Sequence, residues 1–62
     1  MKIYTKNDKD IKWFEYKDGT LEIEFQSGNS GKYKIPLSEF YMFNMSLNRS
    51  SFFHKRIKGK EL

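Results

Sequence analysis

Residues 11–25, IKWFEYKDGTLEIEF, decide the fold. Asp18 and Gly19 stand between two runs in which apolar and polar residues alternate. Both residue types accept positive φ, which a two-residue hairpin turn demands. With these two at the tip, Tyr16 lies opposite Leu21 and Phe14 opposite Ile23, and Phe25 shares their side. A tip one residue longer sets Glu15 opposite Leu21 and breaks the apolar pairing, because a one-residue slip swaps the faces. The spacing therefore predicts a core side of Phe14, Tyr16, Leu21, Ile23 and Phe25. The outer side shows Trp13, Glu15, Glu22 and Glu24. Glu15 opposite Glu22 is a mild repulsion that water screens.

Downstream, SGNSG (27–31) reads as the next turn, with two glycines and polar fillers. KYKI (32–35) follows as a third strand. A register with Phe25 opposite Tyr33 sets Ile23 opposite Ile35 in the core and Glu24 opposite Lys34 outside. Pro36 ends the strand and opens a helix, where its missing N–H costs nothing. That helix spans 37–46, with Phe40, Phe43 and Leu47 on one face and Tyr41, Met42 and Met45 off it. Residues 48–51, NRSS, form a link in which Ser50 or Ser51 caps a last helix of about two turns. Phe53 and Ile57 face the core and Gly59 ends the helix. Phe40, Phe53 and Ile57 are expected to be buried against Phe14, Ile23 and Phe25.

Upstream, residues 1–9 form a flexible arm in which Ile3–Thr5 reach at most a short edge strand. Residues 10–62 make a single domain. The fold class is α+β, a three-stranded antiparallel β-meander followed by two short helices packed on one face.

A chain of 62 residues buries only about 60% of the surface exposed by its unfolded form. There is no cysteine, so neither disulfides nor a thiolate metal site are expected, and the single histidine builds no zinc site alone. Eleven aromatic residues supply the core. No run approaches the roughly 18 apolar residues of a membrane span. The opening MKIYTKNDKDIKW lacks a signal-peptide pattern. A cytoplasmic protein without cofactor, metal or membrane attachment is expected.

The charge is uneven. Residues 1–31 hold five lysines and six acids, net −1; residues 32–62 hold seven Lys/Arg and two acids, net +5. That asymmetry points to an anionic partner for the second half.

Several pieces in order resemble the KTSC domain, a small module found at the end of some lysyl-tRNA synthetases and as a free-standing bacterial protein. They are Ile11, Phe14 and Tyr16; TLEIEFQSG from Thr20 to Gly28; Ile35-Pro36 with Phe40 beyond it; and FFHKRIKGK from Phe52 to Lys60. The resemblance spans residues from about 10 to 60. It implies RNA binding, the role proposed for the family. Three places depart from the family pattern. Its central Tyr-x-Tyr is Gly31-Lys32-Tyr33 here, its Ser-x-Gly is Asn48-Arg49-Ser50, and its Asn after the paired aromatics is His54.

No catalytic set is present. His54 has no cysteine partner, and Glu22 and Glu24 share a strand face without an apolar or phosphate-binding neighbour to raise a pKa. The chain is expected not to be an enzyme. The first functional reading is a nucleic-acid binder, of RNA or another polyanion, through Arg49, Lys55, Arg56, Lys58 and Lys60, with Lys55, Arg56 and Lys58 on the wet face of the last helix. The outer sheet face is no base-stacking platform, because three carboxylates surround Trp13. The alternative is a protein-binding module acting through Trp13, Tyr41, Met42 and Met45. It is a homodimer contact, or a docking site on another protein, as in a small phage-type inhibitor of a host protein.

Overall fold

The computed structural model describes residues 2–62, so the first residue of the arm expected over 1–9 lies outside the description. In chain order the elements are β1 (Ile3–Tyr4), β2 (Ile11–Lys17), β3 (Thr20–Phe25), β4 (Ser30–Lys34), α1 (Leu37–Met45) and α2 (Arg49–Phe52). The helix begun by α2 runs on through a π-helical segment (Phe53–Ile57) into a 3-10 turn (Lys58–Lys60). No helix among the described residues is long and apolar enough to cross a membrane.

The hairpin forms as its turn chemistry dictates. Asp18 and Gly19 take φ of 52° and 78°. Tyr16 pairs with Leu21, Phe14 with Ile23 and Glu15 with Glu22. The sheet has four antiparallel strands in the order β1-β2-β3-β4, not three. Two residues of the arm supply the extra strand, with Ile3 opposite Phe14 and Tyr4 opposite Trp13. Thr5 fastens it with a backbone bond from its N–H to the Lys12 carbonyl at 3.1 Å. An irregularity in β2 between Ile11 and Trp13 lets Ile11 and Phe14 both reach the core.

The β3–β4 register differs from the expected one. Thr20 pairs with Lys34, Leu21 with Tyr33, Glu22 with Lys32 and Ile23 with Gly31. Glu24 lies opposite Ser30 rather than Lys34. The turn explains the difference. Gly28 N–H donates to the Phe25 carbonyl at 2.9 Å and Phe25 N–H to the Asn29 carbonyl at 2.8 Å. Gly28 takes φ 96°. This is a three-residue loop over 26–28, a type I turn closed by a glycine bulge. The loop is shorter than SGNSG suggests, and its strands begin pairing at Asn29.

The helices cover the core face of this sheet. Phe43 meets Phe14 edge-on at 5.1 Å, and Phe40 stacks on Tyr16 at 4.6 Å with 12° between planes. The Tyr16 hydroxyl donates to the Ile35 carbonyl at 2.8 Å, so one side chain ties β2 to the entry of α1. Phe53 packs between Tyr33 and Phe25, at 5.0 and 5.3 Å, and Ile57 is fully buried. Phe40 and Phe25 are packed against the core but only partly buried.

Three local expectations are corrected. The backbone turns extended at Ser46, so Leu47 leaves the helical face and is fully exposed instead of packing beside Phe43. The cap of the last helix is Asn48, whose side chain accepts from Ser51 N–H at 3.0 Å, and Ser50 and Ser51 lie inside the helix. Gly59 does not stop the helix, because the 3-10 turn carries it to Lys60. Beyond it Glu61 bridges to Tyr33 and Leu62 N–H bonds the Lys32 carbonyl at 2.9 Å, which covers part of the β4 edge.

Candidate binding surface

α1 is apolar on nearly every side. Its sequence, LSEFYMFNM, offers only Ser38, Glu39 and Asn44 as polar residues. An apolar helix of this kind is normally covered. Here Phe43 alone is fully buried and Phe40 partly so. Leu37, Tyr41, Met42 and Met45 are 49%, 55%, 47% and 80% exposed. At 100° per residue, these four span an arc of about 140° turned away from the sheet. Scattered exposed leucines need no explanation, but four large apolar side chains on one short helix do. Tyr41, Met42 and Met45 therefore stand where their spacing set them. Leu37 extends the surface, while Leu47, which periodicity set on the core face, is exposed beyond the end of α1.

Trp13 does not join them. It is 7% exposed, flanked by Tyr4 of the added strand, and the Lys2 ammonium sits 4.3 Å from its ring centroid. The arm that pairs with β2 removes it from the surface.

The basic residues separate into three groups. Arg49, expected as part of the basic cluster, points inward. Its Nη2 donates to the Asn44 carbonyl at 3.1 Å, and its guanidinium lies 5.4 Å from the Phe14 ring centroid. It closes the C-terminal end of α1. Arg56 and Lys60 share one oxygen of Glu39, at 3.4 and 3.8 Å, and so hold the last helix against α1. All three of those contacts are set by tertiary structure. Lys55 and Lys58 are exposed and make no salt bridge among the described residues.

His54 also has a partner. Its Nε2 is 3.4 Å from Asp10, whose other contact is a 2.6 Å bond from the Ser50 hydroxyl. Asp10 thus ties the entry of β2 to the last helix. Glu24 of the outer sheet face lies 3.7 Å from Lys12. Both carboxylates thus have partners within the fold.

Two depressions border the basic residues. A groove of about 310 Å³ runs between the exit of α1 and the last helix, with Phe52 in its wall, Ser46 on one rim and Lys55 and Arg56 on the other. The Arg56 guanidinium sits 5.4 Å from the Phe52 ring centroid. Ser46 in its lining directly follows Met45, so the groove lies at the C-terminal end of the exposed arc. The other, of about 350 Å³, lies between the β3–β4 turn and the last helix, where Asp10 and Glu61 face His54 and Lys58. Burial pushes the Tyr33 phenol there above its ordinary pKa, and the Glu61 carboxylate adds to the rise.

No family profile and no curated protein matches this chain.

Proposed function

We propose that this chain is a non-enzymatic binding module that docks another protein on the exposed apolar face of α1. The observation that carries the reading is the exposure of Leu37, Tyr41, Met42 and Met45 on a helix with a nearly all-apolar sequence. Tyrosine and methionine suit such a contact: the ring offers area at low entropic cost, and the thioether adapts to irregular shapes. The resemblance to the KTSC module belongs to the same proposal, as a small α+β scaffold that carries binding surfaces and no reaction centre.

A second reading has its own support. Lys55 and Lys58 project from the last helix with no salt bridge among the described residues, and Arg56 and Lys60 are held by one shared carboxylate. A weak, sequence-tolerant grip on an RNA backbone uses such a face. Against it stand the inward Arg49 and the carboxylates Asp10 and Glu61 in the cleft beside Lys58.

Salt separates the two. A protein partner seated on α1 keeps most of its affinity between low and physiological salt and loses it when Tyr41 and Met45 are changed to Ser. RNA held on the last helix loses affinity steeply with salt and fails when Lys55, Arg56 and Lys58 are changed to Gln. Co-purification followed by these two variants distinguishes them. Binding that ignores the α1 variant ends the docking proposal.

A further inference from the structure

We infer that the occupant of α1 is an acidic amphipathic helix, seated along Leu37, Tyr41, Met42 and Met45 with its carboxylates facing Lys55 and Arg56. The inference rests on the docking reading above and adds the chemistry of the partner.

The apolar arc has one basic edge. On the side toward the last helix, Glu39 and Ser46 border Met42, and Arg56, Lys60 and Lys55 stand beyond them. The one acid of α1, Glu39, is already shared by two cations. An approaching partner therefore meets an apolar strip with net positive charge along that edge. The matching surface is an apolar strip with a negative edge.

Shape selects a helix. At the C-terminal end of the strip lies the groove between the exit of α1 and the last helix, walled by Phe52. A third helix laid beside two others fills such a groove, with anchors at i, i+3, i+4 and i+7. Strand addition has less to use, since Glu61 and Leu62 already cover part of the β4 edge. A second copy of this chain brings a net charge of +4 and the same lysines to the same rim. A nucleic acid gains little from Met42 and Met45, which neither stack like aromatic rings nor meet phosphate.

The test uses two synthetic helical peptides of about four turns with identical leucines on one face. One carries glutamates on its flanks and the other lysines. Fluorescence anisotropy against the whole chain is expected to show the glutamate peptide binding at least about tenfold tighter at low salt, with the gap narrowing as salt rises. Tyr41→Ser with Met45→Ser abolishes binding of the glutamate peptide. Lys55→Gln with Arg56→Gln leaves the apolar contact and closes the gap between the peptides. Circular dichroism of both variants verifies that they fold. Equal binding of the two peptides overturns the acidic partner and leaves the docking reading standing. Absence of binding with sedimentation as a dimer overturns both the partner and the inference, in favour of a second copy. Absence of peptide binding with a salt-sensitive grip on a single-stranded oligonucleotide overturns them in favour of nucleic acid. Absence of every one of these overturns the docking reading itself.

Discussion

Gly31 and Tyr33 share one volume on the core side of the sheet. A Cβ at position 31 would overlap the Tyr33 hydroxyl and stand 2.8 Å from the ring carbon that bears it. The phenol of Tyr33 lies back along its own strand over the glycine, with the ring buried against Phe53. A larger residue at 31 must push a packed ring. Gly31→Ala is therefore expected to lose about 1–3 kcal/mol, as overpacked cores do. Thermal melting checks it, since a loss of that size lowers the midpoint of a domain this small by several degrees. An unchanged midpoint shows that Tyr33 leaves this position at little cost.

Phe53 joins the sheet to the last helix. Its ring lies 5.0 Å from Tyr33 and 5.3 Å from Phe25, and it is buried. Truncating a buried phenylalanine costs about 3–5 kcal/mol. Natural domains hold roughly 0.05–0.15 kcal/mol per residue. Phe53→Ala is expected to leave little folded protein by near-ultraviolet circular dichroism at room temperature. Phe40→Ala should cost less, because Phe40 is only partly buried. The reverse order of damage contradicts the packing described.

Much of this fold was legible in the sequence, and the misses have physical causes. The first hairpin is a local matter: Asp18-Gly19 fixes the turn and alternation fixes the faces. The β3–β4 register was not legible because the expected and observed registers differ by an even number of residues. Both keep Tyr33 inward and Lys34 outward, and both set a glutamate opposite a lysine, Glu22–Lys32 in one and Glu24–Lys34 in the other. Only the short loop at Gly28 decides between them. On the binding surface, helical spacing was enough to place Tyr41, Met42 and Met45. Arg49 could not be placed that way, because its partners, Asn44 and Phe14, meet it only through the chain reversal after α1. Trp13 was misplaced for the same reason, since its cover comes from the arm.

Alkali should expose the burial of Tyr33. Burial first, and the Glu61 carboxylate second, raise its pKa above the usual value of 10.0. The folded state therefore holds the phenolic proton more tightly than the unfolded state. The resulting stability is fully present below pH about 10 and is lost as pH rises through the folded-state pKa. In an ultraviolet titration of tyrosinate, one of the four tyrosines should ionise late, with the loss of the fold. Tyr33→Phe should remove that late step. A Tyr33→Phe chain with the same alkaline step assigns it to another group.

The central claim is that the exposed arc of α1, with the basic rim of the last helix, is a docking surface. An amide chemical-shift map of the whole chain, recorded as the glutamate-flanked peptide is added, tests it most directly. The account predicts that the largest shifts fall at Tyr41, Met42, Met45 and Ser46 and, across the groove, at Phe52, Lys55 and Arg56, while β1 and the Asp18-Gly19 turn stay still. Shifts confined to the β4 edge or to the outer sheet face around Lys12 and Glu24, with α1 unmoved, would contradict it.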